Sequence, residues 1–286
     1  MTFLSSAIRL MLAAALVTCF PLAVSAQNAA SVSNALTIGQ TFTLNSRVLS
    51  ETRRINVYLP AGYAEQGTER LPVLYMPDGG MGEDFLHVAG LMQVLIGNGT
   101  MRPFLLVGIE NTERRRDLTG PTTNEKDKKI APRVGGSVAF RQFLRTELMP
   151  EIKRRYRTTD EKAIVGESLA GLFVVETLFL EPDLFDTYLA FDPSLWWNNE
   201  LLVQQVPALL AAYKGSPKTL LLATSNEPEI VAGTGRLTRA LQASANQVIS
   251  WNYVPMPQET HLTIYHPAAL HAFRAVFKPR PAVPAK

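Results

Sequence analysis

Cysteine is almost absent from this chain of 286 residues. The only one is Cys19, which lies in an apolar N-terminal segment. Disulfides, thiolate metal sites and thiol nucleophiles are therefore excluded for the rest of the chain. Histidine is also scarce. No His-x-x-x-His pair occurs, so we expect no metal and no other cofactor. The four histidines are His87, His261, His266 and His271.

Long hydrophobic segments are missing beyond the N-terminus, so no later segment is predicted to span a bilayer. The first residues contain Arg9, a short apolar run over Leu10–Val17 and the small-residue sequence Val24–Ala26. This pattern predicts a secretory signal peptide over residues 1–26. An uncleaved anchor is less favoured, because Pro21 interrupts the apolar segment. We expect a periplasmic or secreted protein without stable membrane insertion after cleavage.

A strong charge of either sign is also lacking. The chain has 28 basic and 25 acidic residues, a net charge of +3, which is too little to indicate a nucleic-acid partner. Composition then predicts the domain layout. Residues 27–39 are expected to be a flexible N-terminus, 40–277 a single domain and 278–286 a disordered proline-rich tail. The oligomeric state stays open.

Apolar runs alternate with segments of helical spacing along the predicted domain. Leu71–Met76 and Phe104–Ile109 are continuous apolar runs typical of strands buried on both faces of a sheet, and Phe85–Ile96 between them has helical spacing. This alternation predicts an α/β fold with a mostly parallel central sheet and helices on both faces. Further strands are expected at 41–49, 53–59, 163–165, 188–191, 219–223 and 249–254, and further helices at 138–155, 200–213, 236–243 and 267–277.

The most informative motif is Gly166-x-Ser168-x-Ala170-Gly171, which follows the predicted strand 163–165 and precedes an apolar segment of helical spacing. This is the layout of a nucleophile elbow, in which a sharp turn exposes a serine hydroxyl. The usual motif has glycine where Ala170 stands. The alternative is an ordinary strand-to-helix turn with a serine cap.

A serine nucleophile needs a general base, and in this arrangement an acid and then the histidine follow the serine. His261 lies in the loop after the last predicted strand, which favours it over His266 and His271 as the base. The acid is expected after the next-to-last strand. Glu227 is the first choice there, Glu229 the second, and Asp192 is a third candidate after an earlier strand.

The oxyanion of an acyl-transfer intermediate needs backbone N–H donors. Leu169 follows the serine at a helix N-terminus and would supply one. Gly80, at the end of the glycine-containing turn after Met76, is expected to supply the other, although a plain Asp-Gly turn is the alternative.

Several segments together resemble the esterase D or enterochelin-esterase-like branch of the α/β-hydrolases. This resemblance implies a serine carboxylic-ester hydrolase with Ser168 as nucleophile, His261 as base and Gly80 and Leu169 as oxyanion donors, and it favours Glu227 as acid. Together with the predicted signal peptide, it predicts an exported esterase. Glu167 departs from the usual histidine, Ala170 from glycine and Asp192 from a frequent serine. The matching segments are 72–79, 107–112 with 114–119, 166–173, 192–197 and 259–261.

The substrate implied by the resemblance is a small ester. The loop Asn111–Gly136 is rich in basic residues, among them Arg116 as a candidate substrate contact, and this favours acidic or siderophore-like esters. A solvated, partly neutralised loop is the alternative. Trp196 and Trp197 are candidates for lining the substrate pocket, or are core residues.

Two other functions remain open at this point. An acyltransferase would use the same residues with an alcohol in place of water. A non-catalytic binding module could share the fold, because fold alone does not establish activity, although the presence of both Ser168 and His261 argues against it.

Overall fold

The computed structural model describes residues 36–63, 67–130, 133–245 and 247–279. The predicted signal peptide, residues 27–35 of the predicted flexible N-terminus and residues 280–286 of the tail lie outside these ranges. Contacts divide the chain into Met1–Leu36 and Thr37–Lys286, and every strand and helix below belongs to the second unit.

Within the described residues, eight strands form one sheet in the order β1-β2-β4-β3-β5-β6-β7-β8. β1 and β2 pair antiparallel with each other, and β2 pairs antiparallel with β4, whereas the other six strands run parallel. The carboxyl ends of those six strands therefore meet at one edge, where sites form in such sheets. The strands are β1 (Gln40–Ser46), β2 (Glu51–Tyr58), β3 (Leu71–Pro77), β4 (Leu105–Ile109), β5 (Thr158–Glu167), β6 (Thr187–Phe191), β7 (Lys218–Thr224) and β8 (Ile249–Pro255).

Helices connect the parallel strands. They are α1 (Phe85–Gly97), α2 (Arg114–Asp117), α3 (Glu125–Ile130), α4 (Ser137–Phe143), α5 (Met149–Arg155), α6 (Leu169–Leu180), α7 (Trp197–Ala212), α8 (Pro228–Ala243) and α9 (Tyr265–Val276).

The helix predicted over 138–155 is interrupted by a π-helical turn, Leu144–Leu148, between α4 and α5. The short helices α2 and α3 were not predicted, because four to six mostly charged residues carry no apolar period. Helix α8 begins at Pro228 rather than at residue 236, since Gly233 and Gly235 weaken the helical signal over its first half.

The sheet separates two apolar cores. The side chains of Val57, Val107 and Ile164 pack on one face with residues of α4 and α6. Those of Leu74, Leu106 and Val165 pack on the other face with residues of α1 and α9. Helices therefore cover both faces, and the predicted α/β-hydrolase fold class is confirmed. Among the helices of the described residues, none combines the length and apolar character needed to cross a membrane.

Candidate active site

Ser168 lies at the junction of β5 and α6. Its φ of 60° and ψ of −119° lie outside the common regions for a non-glycine residue, so the backbone is strained at this position. The Ser168 N–H donates to the Phe191 carbonyl at 3.0 Å, and the Ser168 carbonyl accepts from the Ser194 N–H at 3.1 Å. Neighbouring β6 and the segment after it therefore hold the strained turn that projects the hydroxyl.

Small residues make this turn possible. A Cβ at Gly166 would lie 2.7 Å from the Ala170 Cβ, and one at Gly171 would lie 2.9 Å from the Phe191 carbonyl oxygen. Because Gly166 has no side chain, the methyl group of Ala170 fits opposite it. This explains how the elbow accommodates alanine where the usual motif has glycine.

His261 reaches the serine from the loop after β8. Its Nε2 lies 3.1 Å from Ser168 Oγ, and its Nδ1 lies 2.9 Å from Asp192 Oδ2. The loop is fixed by a hydrogen bond from the Asn226 N–H to the Glu259 carbonyl at 3.0 Å. The imidazole thus joins the hydroxyl to a carboxylate, which is the geometry that general-base activation requires.

Asp192 occupies the position for which Glu227 was predicted. Asp192 is fully buried just after β6, and its carboxylate accepts hydrogen bonds from the N–H and the Oγ of Ser225, both at 2.6 Å. The predicted acid Glu227 and the second choice Glu229 are instead exposed where α8 begins. The reason is that β6, which precedes Asp192, is the direct neighbour of β5, whereas β7, which precedes Glu227, is one strand further away.

Two groups at the site have pKa values that are raised above their usual values. The hydrogen bond to Asp192 raises the pKa of His261 above its usual value, and the nearby carboxylates of Glu167, Asp192 and Glu227 act in the same direction against the effect of burial. Burial raises the pKa of Glu167 to about 7. Shifted pKa values in groups that contact one another are typical of acid–base sites.

The two predicted oxyanion donors differ in their surroundings. The Leu169 N–H belongs to the first residue of α6 and so has no intrahelical acceptor. The Gly80 N–H donates to Glu83 Oε2 at 2.7 Å. The side chain of Glu83 is also held by the Asn111 amide at 2.8 Å. Binding of an oxyanion at Gly80 therefore requires Glu83 to move away.

Arg114 is a site residue that the sequence did not single out. It forms a two-point ion pair with Asp78, with N–O distances of 2.7 and 2.8 Å. Its charge also acts on Glu167. In the sequence, the position of Arg114 in the basic loop after β4 was the only indication of a role at the site. Nothing in that loop distinguished it from Arg116.

The three residues predicted to contact substrate lie in different surroundings. Trp197 is buried in the core, and its indole N–H donates to the Gly120 carbonyl at 2.9 Å. Arg116 is bound to Glu51 and Asp117 rather than projecting as a free cation. Trp196 is half-buried, and its contact with substrate stays a prediction.

The basic loop is largely balanced in charge. Lys128 pairs with Glu125, and Arg133 pairs with Glu113. Its middle part is also fixed to α7, because Asn198 donates its N–H to Asp127 and accepts at Oδ1 from the Thr123 N–H. The described part of the loop is therefore folded and held against α7, and Lys126 and Lys129 are among its exposed cations.

One group of side chains in the described part of the chain brings three possible metal-ligating atoms within 4.8 Å of one another, namely those of Glu167, Asp192 and His261. Asp192 and His261 already hydrogen-bond each other, and they also contact Ser225 and Ser168 respectively. Their grouping therefore has an explanation without an ion.

The sheet order, together with the serine at a strained elbow after β5 and the histidine after β8, defines the class as an α/β-hydrolase. A family model described as "Putative esterase" matches residues 46–267, and the chain belongs to this family. It is a carboxylic-ester hydrolase.

Individual relatives agree with this assignment. Ferri-bacillibactin esterase BesA of Bacillus subtilis is 27% identical over 282 residues, covering 86% of this chain and 93% of that protein. Siderophore triacetylfusarinine C esterase of Aspergillus fumigatus is 33% identical over 108 residues, covering 36% of this chain and 35% of that protein. The crystal structure of an IroE-like serine hydrolase from Shewanella oneidensis matches with a TM-score of 0.74 and 31% identity, over 84% of this chain and 80% of that one.

Proposed function

We propose that this chain is an exported serine esterase that works through an acyl-enzyme on a small, siderophore-like ester. The observation that carries the mechanism is the continuous contact from Ser168 Oγ through His261 to Asp192, with distances of 3.1 and 2.9 Å. A serine hydroxyl aligned with a neutral imidazole can attack an ester carbonyl as it loses its proton.

The steps follow from these positions. Ser168 Oγ bonds to the carbonyl carbon while His261 Nε2 takes the hydroxyl proton, and Asp192 stabilises the imidazolium. The N–H groups of Leu169 and Gly80 bind the oxyanion, the second after Glu83 has moved. His261 then gives its proton to the departing alkoxide. Water attacks the acyl-enzyme by the same route and releases the carboxylic acid and the free serine.

Two observations support a siderophore-like substrate. The relatives named above include esterases of a ferric bacillibactin and of triacetylfusarinine C. Lys126 and Lys129 also lie exposed on the loop after β4 and favour acidic esters through electrostatic attraction. Because the other loop cations named above are paired, the expected attraction is modest.

Hydrolysis of p-nitrophenyl acetate and butyrate and of a catecholate triester should be measured for the purified protein and for Ser168→Ala. We expect the variant to lose roughly 10⁴- to 10⁶-fold in kcat. Ser216→Ala is the matched control, because it removes an exposed hydroxyl before β7, at the opposite edge of the sheet from Ser168. Equal activity of wild type and Ser168→Ala would refute the mechanism. Transfer of the acyl group to an added alcohol in preference to water would identify an acyltransferase.

Export is tested separately by expressing the full chain in a bacterial host. We expect the protein in the periplasm or medium, with an N-terminus that begins after Ala26. Retention of Met1 on a cytosolic product would contradict export and leave the catalytic proposal intact.

A further inference from the structure

Glu167, the residue before the nucleophile, presents a second carboxylate to His261. Its Oε1 lies 3.3 Å from Nδ1 of His261, the same ring nitrogen that lies 2.9 Å from Asp192 Oδ2. Two carboxylates, one on the last residue of β5 and one directly after β6, therefore converge on one imidazole nitrogen.

The hydrogen bonding of the two carboxylates is unequal. Asp192 accepts from the N–H and Oγ of Ser225 in addition to His261. Glu167 Oε1 is buried and accepts no hydrogen bond within the described part of the chain. A buried oxygen without a donor is costly, and Nδ1 of His261 lies 3.3 Å from it. Because Nδ1 carries a single hydrogen and Asp192 accepts it, Glu167 accepts that hydrogen only when the imidazole turns slightly.

We propose that Glu167 is a positioning residue that stabilises the imidazolium of His261 together with Asp192 and can take over as its acceptor. The inference rests on the serine-esterase function proposed above. While Ser168 Oγ transfers its proton, positive charge develops on the ring, and a second carboxylate within 3.3 Å favours that charged form.

The charges around the pair set the direction of the pH effect. His261 faces Asp192, Glu167 and Glu227, all of which raise its pKa. The pKa of Glu167 lies near 7 because of burial, assisted by the charges of Asp192 and Asp78 and opposed by those of His261 and Arg114. Above that pH Glu167 is charged and stabilises the imidazolium. Removing its charge lowers the pKa of His261.

The first test combines Glu167→Gln with Asp192→Ala. We expect Glu167→Gln alone to lower kcat about 3- to 30-fold with little change in KM, because the lost interaction forms chiefly in the transition state. In the Asp192→Ala background, where Glu167 is the remaining acceptor, the same substitution should cost at least about tenfold more than it does alone. Equal costs in the two backgrounds would refute the backup role.

The second test is the pH dependence of kcat/KM. Glu167→Gln should move the acidic inflection to lower pH, because the imidazolium loses a neighbouring negative charge. Glu229→Gln, which removes an exposed carboxylate of α8, is the control and should leave the inflection in place. An unchanged inflection in Glu167→Gln would overturn the proposal.

Glu167→His provides a second variant if the glutamine variant does not fold. It removes the carboxylate, so it too should lower kcat and the acidic inflection. The outcomes also separate the two proposals. Activity that survives Ser168→Ala refutes the serine esterase itself, whereas loss in Ser168→Ala with wild-type behaviour of both Glu167 variants refutes only the role of Glu167.

Discussion

Asp192 and His261 are joined by a hydrogen bond of 2.9 Å between Oδ2 and Nδ1, although they are separated by 69 positions in the chain. The N–H of Asp192 donates to the Ala223 carbonyl at 2.8 Å, and its φ of 41° turns the side chain toward the loop that carries His261. The carboxylate is fully buried. It therefore acts on the imidazole without competition from water.

Asp192→Asn should reduce kcat strongly, by about 10²- to 10⁴-fold, because asparagine can donate to Nδ1 and favours the wrong tautomer. Glu227→Gln is the matched control. Its carboxylate is exposed and acts on His261 only through charge, so we expect a change within about threefold. Steady-state kinetics of the two variants decide between the acids. A larger loss of kcat in Glu227→Gln would identify Glu227, the acid that the sequence favoured, as the partner of His261.

The pH profile of the wild-type protein should show an acidic limb. His261 acts as a base only when neutral, and the hydrogen bond to Asp192 raises its pKa above 6.5. Activity should therefore fall as the pH drops through a value above 6.5. Measurement of kcat/KM between about pH 5 and 9 checks this. Glu167, with a pKa of about 7, titrates in the same range, so the inflection belongs to the coupled pair. An inflection below 6.5 would contradict the prediction.

Gly79→Ala should damage both stability and activity. A Cβ at this position would lie 2.3 Å from Gly108 Cα and from the Ile109 backbone nitrogen, neither of which can move as a flexible side chain would. We expect a loss of about 3 kcal/mol in the free energy of unfolding, together with a lower kcat, since Gly80 is displaced with it. Gly82→Ala is the control, because a Cβ there has no atom within 4 Å. Denaturant unfolding should give a lower midpoint for Gly79→Ala than for Gly82→Ala. Similar midpoints would contradict the close packing of Gly79 against Gly108 and Ile109.

Arg53→Ala should also be destabilising. Arg53 is fully buried, and its Nη1 lies 2.6 Å from Asp117 Oδ2 and 2.7 Å from Glu51 Oε1. Truncation leaves the buried Asp117 with Arg116 as its remaining cation, so we expect a loss of about 3 kcal/mol in the free energy of unfolding.

The neighbouring Arg54 provides the comparison for that prediction. Its side chain is half exposed and lies 3.8 Å from Glu110, and Arg54→Ala should cost at most about 1 kcal/mol. Thermal or denaturant unfolding checks both variants. Comparable losses in the two would show that the Arg53 network does not contribute through burial.

Much of the fold could be predicted from local patterns. The segment 85–96 has helical spacing and forms α1, and the apolar run at 71–76 forms β3, since an apolar period fixes which residues can be buried together. The conformation of the first turn of α7 could not be predicted from local patterns. Asn198, Asn199 and Glu200 have positive φ values there. The two asparagines are held by the distant loop before and within α3, and Glu200 pairs with Arg236 of α8.

The site shows the same division. Ser168 and His261 could be predicted because a strained turn requires small neighbours in the sequence and the base follows the last strand. Which acid reaches the histidine could not, since Asp192, Glu227 and Glu229 all follow parallel strands. The sequence also could not show which of Arg114 and Arg116 faces the site. The two side chains point in different directions from α2, and a helix of four residues is too short for an apolar pattern that would indicate its orientation.

The sequence by itself determined the strand-turn-helix around Ser168, the alternation of strands and helices, and the absence of any thiol chemistry after Cys19, because these depend on residue size, apolar period and composition. Only the tertiary structure decided that Asp192 binds His261, that Glu167 shares the same ring nitrogen and that Arg116 is held by Glu51 and Asp117. Apart from the neighbouring Arg116 and Asp117, those partners lie far apart in the chain, and strand order and backbone direction bring them together.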